Sequence, residues 1–536
     1  MTRRCGMRFG AGFMTRRSAA FGASGAVATS TPTAALAGYD VLRRGGNAAD
    51  AALAMAACLV VTEPTSNGLG SDLFAIVWDG ARLHGLNASG KAPSRLDAKL
   101  LRDKGLGSVP LTGWEPVTVP GMVDGWAQIS KRFGSLGFVD VLSPAVEMAE
   151  NGYPVSQVTA GFWANAASRF GSFEGFAKAF MPGGRAPSAG EIFRNGRMAE
   201  SLRAIGESGG RCFYEGHIAD AIARESEKEG GYIRKDDLAA HESEWVDPIS
   251  VGYKGYDVYE MPPNGQGIVA LMALKALEGM GLEKYGYDEP VRINLMADAL
   301  RLAFADASRH VGDPSFYGAP VGEMLSDGYA RARAGLISPG TALRGVGSGL
   351  PVEGGTVYLS AADKDGMMVS LIQSNYMGFG SGIVVAEHGI SMQNRGAGFS
   401  LEKGHPNELR PGKRPYHTII PGFLMKEGRP IGPFGVMGGD MQPQGHVQLV
   451  SAVADLGLDP QSGIDMPRFR ASGGLRLHLE KGLAHTKDAL AKMGYDVAVE
   501  ESSAMFGGGQ MIMRDYDKGV YVAGTESRKD GLALAF

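Results

Sequence analysis

Thr356 carries the most distinctive chemical possibility in this sequence. It stands directly after Gly354-Gly355 and opens the run TVYLSAA. Left uncut, it is an ordinary β-branched residue starting a strand. A cut in front of it would put a free α-amine beside the Thr356 hydroxyl. That amine can take the hydroxyl proton, the N-terminal-threonine form of an activated nucleophile. Gly340 to Gly355 is Gly-rich and polar, and a flexible linker of this kind can thread a scissile bond into a forming site. Ser374 closes the next apolar run, MMVSLIQS, within hydrogen-bond reach of Thr356 if the two runs pair. Gly438-Gly439 lies between the strand-like stretch Ile431 to Met437 and a helix-like one. Backbone N–H groups there can face a developing oxyanion, although a Gly pair by itself is usually only a turn.

Local patterning supplies the elements that must position these groups. Two β-rich runs flank Asp363-Lys364-Asp365-Gly366, a hairpin signal. With Ala362 opposite Met367, paired positions sum to 729, which sets Thr356 opposite Gln373 and beside Ser374. Upstream, Ala34, Leu36, Val41 and Leu42 mark one helix, ended by Gly45-Gly46. Asn47 can cap a second, Ala-rich helix from Ala48 to about Val61. Phe74 to Trp78 and Leu83 to Leu86 read as a hairpin, and residues 97–245 as mostly helical. Tyr256 to Met261 is strand-like, followed by helices from Gly267 to Met280 and from Pro290 to His310. Beyond Thr356 come strands at Thr418 to Met425 and Ile431 to Met437, and a closing hairpin of Gln510 to Met513 with Val520 to Val522. Helices are expected near Gln442 to Leu456 and Lys481 to Met493. Strands in both parts flanked by helices predict an α+β fold of two stacked sheets with helices outside.

Composition narrows the function classes. A chain of 536 residues, 44% hydrophobic and 21% charged, suits a large globular enzyme rather than a disordered or fibrous protein. A net charge of −4 gives no cause to expect nucleic acid or an acidic membrane as partner. No apolar run reaches the roughly 18 residues of a membrane span. Cys5, Cys58 and Cys212 are too scattered for a disulfide framework, and the histidines lack ligand spacing. Neither a metal nor another cofactor is expected. The one GxSxG match, Gly206 to Gly210, follows a helical pattern and reads as a turn. Arg3-Arg4 and Arg16-Arg17 leave a twin-arginine export signal open, but the following SAAFGASGAVATSTPTA is too polar for its apolar core. Residues 1–23 therefore read as a poorly ordered extension, with Met14 as an alternative start, on a cytoplasmic protein.

The segment GGTVYLSAADKDGMMVSLIQSNYMGFGSGIV resembles the processing region of the γ-glutamyltransferase (glutathione hydrolase) family of N-terminal-nucleophile hydrolases. The likeness continues in Arg43-Arg44-Gly45-Gly46-Asn47-Ala48-Ala49-Asp50, Thr62-Glu63-Pro64-Thr65-Ser66-Asn67-Gly68, Lys413-Arg414-Pro415, Met437-Gly438-Gly439-Asp440 and Met466-Pro467-Arg468-Phe469. It spans about residue 24 to the C-terminus. The resemblance implies a four-layer αββα sandwich and self-cleavage into a large subunit, 24–355, and a small one, 356–536. These would form a heterodimer, with a dimer of heterodimers open. It also implies Thr356 as nucleophile, Ser374 where the family usually has threonine, and Gly438-Gly439 at the oxyanion hole.

The substrate-binding positions depart from the family. Its glutamyl-clamping arginine is replaced by Ser89 in LNASGKAP, and its asparagine by Tyr376. Its glutamate or glutamine and its aspartate fall on Arg395 and Gly398, and its serine pair on His417-Thr418. An ammonium group with no carboxylate partner is costly to desolvate, so a γ-glutamyl zwitterion is poorly served. Arg395 could bind a carboxylate lacking a neighbouring amine. The pattern resembles the family's divergent branches: putative acyltransferases, cephalosporin-acylase-like enzymes and oxamate-amidohydrolase-like enzymes. The expected activity is a self-processing amide hydrolase or acyltransferase acting on a small amide. The alternatives are an amidohydrolase without transferase activity and an unprocessed, non-catalytic binding protein.

Overall fold

The computed structural model describes residues 17–346 and 355–536. Fourteen strands build two seven-stranded antiparallel sheets. In chain order they are β1 (Ala20–Gly22), β2 (Ala26–Thr29), β3 (Asp72–Trp78), β4 (Leu83–Ala88), β5 (Glu244–Val246), β6 (Ile249–Tyr253) and β7 (Tyr256–Glu260). There follow β8 (Gly355–Ala362), β9 (Met368–Tyr376), β10 (Gly422–Lys426), β11 (Arg429–Met437), β12 (Gly508–Asp515), β13 (Val520–Thr525) and β14 (Leu532–Ala535). One sheet runs β14-β2-β8-β9-β3-β4-β5 and the other β1-β13-β12-β11-β10-β7-β6.

Side-chain alternation makes this a four-layer structure. On β8, Val357, Leu359 and Ala361 pack into the helical layer, whereas Tyr358 and Ala362 point between the sheets to meet Phe423, Met437 and Ile512. The outer face of the first sheet is covered by α1 (Pro32–Arg43), α2 (Ala48–Thr62) and α3 (Met122–Phe133). Asn47 and Asp50 form a capping box at the start of α2, and every α2 residue is buried. Its alanines let the helix lie close to the sheet. The second sheet is covered by α4 (Gly267–Leu277), α5 (Pro290–His310) and α6 (Met441–Ala454).

The hairpin at Thr356 differs from the expected register by one residue. Ala362 pairs with Met368, not Met367, because Asp363 builds a longer turn. Its Oδ1 accepts from the N–H groups of Asp365 and Met367, and Gly366 takes φ +91°. A one-step slip exchanges the faces of a strand. Gln373 accordingly points into the helical layer, where it accepts from Trp126 Nε1 at 3.0 Å and donates to Asn67 at 2.7 Å. Thr356 lies between the sheets, across from Ser374, at a register shift between Gly355 and Val357.

Other boundaries also moved. Ala20–Gly22 forms edge strand β1, so the expected boundary at residue 23 falls too late. Residues 1–16, and 347–354 of the expected linker, lie outside the described residues. The strand expected from Thr418 begins only at Gly422. The helix expected from Lys481 opens as a 3₁₀ turn, Lys481–Thr486, before becoming α-helical over Lys487–Met493. Ser208 ends a helix that Gly209 closes at φ +62°, in keeping with a turn rather than a nucleophile elbow. Among the described residues no helix is long and apolar enough to cross a membrane, and Cys58 and Cys212 are free thiols.

Candidate active site

The ends of β8 and β9 bring a hydroxyl pair onto one peptide bond. Thr356 Oγ1 donates to Ser374 Oγ at 3.2 Å, and Ser374 Oγ donates to the Gly355 carbonyl oxygen at 2.6 Å. The Tyr376 N–H donates to the same Ser374 oxygen at 2.7 Å. Ser374 is thus held by its own strand end while touching both the Thr356 hydroxyl and the carbonyl preceding it. The local shift in register makes this possible, as bulges commonly do when they re-aim a side chain.

A cavity of about 410 Å³ opens over Gly355 and Thr356, with Met437 and Gly438 also on its wall. Gly438 has φ +124° and Gly439 φ +59°, both in the region that favours glycine. A Cβ at Gly438 would also stand 3.1 Å from Gly507 Cα. Gln266 secures the far side of this turn, donating to Gly439 O at 3.0 Å and Thr418 O at 2.6 Å. Before the turn, His446 Nε2 accepts from the Val436 N–H at 3.1 Å, while its Nδ1 meets Glu260.

The five expected substrate-binding residues lie behind Ser374, and none lines the cavity. Arg395 is fully buried. It donates to Thr418 Oγ1 at 2.6 Å and to Ser374 Oγ at 3.4 Å, and its guanidinium lies 4.2 Å from the centre of the Tyr376 ring. Burial lowers its pKa to about 10, so it remains charged at neutral pH. Among the described residues no carboxylate lies within ion-pair distance of it. Tyr376 sits at φ +75°, unusual for a bulky residue. Burial pushes its phenol up to about 12.

His417 donates from Nε2 to Asp72 at 3.0 Å, and its Nδ1 accepts from the Ile419 N–H. Burial lowers its pKa to about 4, and the charge on Arg395 adds to the effect. Ser89 donates to Asn87 Oδ1 at 2.6 Å, with Asn264 Nδ2 at 3.3 Å. Asp72, Asn264 and Gln393 therefore knit these residues into one enclosed network, with Gln393 donating to Asp72 at 2.8 Å. Sequence reasoning missed all three connecting residues. Asp72 had no signal beyond its place at a strand start, since its partners come from positions 90, 121, 393 and 417.

The gamma-glutamyltranspeptidase family model matches residues 34–536. The chain belongs to the gamma-glutamyltranspeptidase family. Its fold is that of the family's N-terminal-nucleophile hydrolases. It matches the crystal structure of cephalosporin acylase from Bacillus halodurans with a TM-score of 0.93 and 46% identity, covering 98% of each chain. It is 35% identical to the glutathione hydrolase-like YwrD proenzyme of Bacillus subtilis, over 94% of this chain and 96% of that one. It is also 32% identical to the oxamate amidohydrolase proenzyme of Klebsiella pneumoniae, over 92% and 95% respectively. The gamma-glutamyltranspeptidase relatives are hydrolytic enzymes described as proenzymes, and this chain is an enzyme of that hydrolytic family.

Proposed function

We propose that this protein is a self-processing amide hydrolase whose nucleophile is Thr356. The observation that carries the reading is the Ser374 hydroxyl, bonded at once to Thr356 Oγ1 and to the Gly355 carbonyl. In the first step Thr356 Oγ attacks the Gly355 carbonyl carbon. The Gly355–Thr356 C–N bond breaks, an ester forms on the threonine oxygen, and the hydroxyl proton passes to the departing nitrogen. Ser374 supports this step by donating to the oxygen on which negative charge develops. Water then hydrolyses the ester, leaving residues up to 355 as one piece and 356–536 as the other. The freed amine of Thr356 becomes the base for later turnovers. Each turnover forms an acyl-enzyme on Thr356, with the Gly438-Gly439 turn as the oxyanion site, and water or an amine acceptor resolves it.

The closed network of Ser89, Tyr376, Arg395, His417 and Thr418 supports a small amide other than a γ-glutamyl zwitterion. Nothing in it offers a carboxylate to an incoming ammonium from inside the cavity. Gel electrophoresis of the purified protein tests the reading. Two bands of about 37 and 19 kDa are expected, from dividing the 56.3 kDa of the 536-residue chain between residues 1–355 and 356–536. The shorter should begin Thr-Val-Tyr-Leu on N-terminal sequencing, and Thr356→Ala should remain one inactive chain. A single band for the wild type would favour the non-catalytic alternative, and cleavage that survives Thr356→Ala would remove Thr356 from the mechanism.

A further inference from the structure

Arg395 places a full positive charge, wholly buried, behind the Gly355–Thr356 bond. Its backbone is fixed to the end of β9. The Asn394 N–H donates to the Asn375 carbonyl at 3.2 Å, and Asn394 Oδ1 accepts from the Met377 N–H at 3.1 Å. On its other side the Gly396 N–H donates to the Pro116 carbonyl at 2.8 Å, so close that a Cβ there would stand 2.7 Å from that oxygen. The guanidinium is gripped in turn, with Nη1 on Thr418 Oγ1, Nη2 on Ser374 Oγ and the Tyr376 ring beneath it. Thr418 is tied through its carbonyl to Gln266, which also holds the Gly439 carbonyl. One cation therefore joins the Ser374 hydroxyl to the frame of the Gly438-Gly439 turn. Such a charge is expensive to desolvate, and an aromatic face offsets only part of that.

The surroundings of Ser374 Oγ show what the charge does there. A hydroxyl carries one proton and two lone pairs. The Tyr376 N–H at 2.7 Å and the Arg395 guanidinium at 3.4 Å can only donate to it. A positive charge on one side of an O–H bond turns its proton to the other side. The Ser374 proton is thereby aimed at the Gly355 oxygen, 2.6 Å away, and not at Thr356 Oγ1, 3.2 Å away. The Thr356 oxygen keeps the lone pair with which it attacks. We propose that Arg395 is a positioning residue for self-cleavage: it acts through Ser374, holding that hydroxyl as a donor to the Gly355 carbonyl while Thr356 Oγ adds to the carbonyl carbon. Ser374 keeps its proton throughout, and the proton of the Thr356 hydroxyl goes to the departing nitrogen. This rests on the reading of Thr356 as nucleophile. It gives Arg395 a part in cutting its own chain, not in gripping a substrate.

Self-cleavage is followed on gels after pulse-labelling the full chain during cell-free synthesis. Arg395→Met should slow it roughly 10-fold, less than loss of the Ser374 hydroxyl itself, and Arg395→Lys should recover part of the rate, as expected for a charged hydrogen bond. In a chain already carrying Ser374→Ala, adding Arg395→Met should change the rate by less than about twofold, because groups that act as a unit are not additive. A residue that only supported the fold would slow both backgrounds alike. Thr418→Val removes the acceptor of Nη1 and leaves the charge in place. It should slow cleavage severalfold with Ser374 present and not in its absence, and this pair decides the matter if Arg395→Met shows no cooperative melting transition. Wild-type speed in a folded Arg395→Met chain overturns the inference, and so does equal slowing of both backgrounds. Met and Lys variants that are equally slow overturn it too. Where Arg395→Met does not fold, Thr418→Val overturns it by slowing neither background or both alike. Each of these results leaves Thr356 standing as nucleophile. A wild-type chain that is never cut counts against the nucleophile reading itself.

Discussion

Titrating the histidines tests the enclosed network directly. In an unfolded chain His417 has an ordinary pKa of 6.5, while in the folded protein it falls to about 4. Burial is the main cause, the charge on Arg395 the next, and Asp72 opposes both. Between these values the unfolded chain binds a proton that the native protein does not. Stability therefore rises with pH across the window and is lost as pH falls through it. At about 1.4 kcal/mol per pH unit, this one residue withdraws on the order of 2 kcal/mol by pH 5 and 3 kcal/mol by pH 4. His241, also buried and also lowered to about 4, acts in the same direction. Burial raises Glu260, Asp363, Asp455 and Asp465, which act oppositely at lower pH. The assay must therefore follow His417 itself. Its ring Cε1–H resonance, assigned by its loss in His417→Gln, should stay flat from pH 8 to about 5. In Arg395→Met the midpoint should rise, because a neighbouring positive charge has gone. A His417 midpoint near 6.5 in the wild type would refute the picture of a sealed, neutral imidazole beside a charged arginine.

Three further outcomes follow from the same geometry. Ser374→Ala should slow self-cleavage by roughly 100-fold, the usual scale for losing one donor to a developing oxyanion. Ser374→Thr, which keeps the hydroxyl, should process almost normally, and gel time courses distinguish the two. Gly438→Ala should process and turn over poorly while keeping the fold by circular dichroism, since φ +124° and the neighbouring Gly507 oppose a side chain there. Wild type should turn over a γ-glutamyl anilide poorly, and Ser89→Arg should not rescue it. That arginine would be forced into a filled site next to Arg414, whose Nε donates to Ser89 O at 3.1 Å. Overpacking should cost about 1–3 kcal/mol, seen as a lower melting temperature. Brisk turnover of the anilide by wild type would contradict the recognition argument.

The elements easiest to read from sequence were those whose signals are local. Asn47 announces the start of α2 through its own cap, and Pro290 and His310 bound α5 where the apolar periodicity begins and stops. The register of the Thr356 hairpin was harder, because it depends on the Asp363 carboxylate folding back onto its turn. Counting loop residues could not show that. Short edge strands such as β1 and β14 escaped notice because pairing, not composition, creates them. At the site, Thr356, Ser374 and the Gly438 turn were legible as motifs. The burial of Arg395 and the partners of Asp72 were not, since each depends on segments far apart in the chain.

The strand order has its own bearing on what would become of the molecule under the proposed cut before Thr356. β2 is hydrogen-bonded between β14 and β8, and β3 lies against β9, so chain from before and after Thr356 shares each sheet. A cut between Gly355 and Thr356 would free only the end rung of β8, Gly355 to Tyr376, and leave the others in place, so the two polypeptides would have no dry surface along which to part. Neither piece holds a complete sheet, so each expressed alone should aggregate. An intact precursor can find its way back from denaturant as a single thread, whereas the cut enzyme must solve a two-body problem. Its working lifetime would then be set by how slowly it opens.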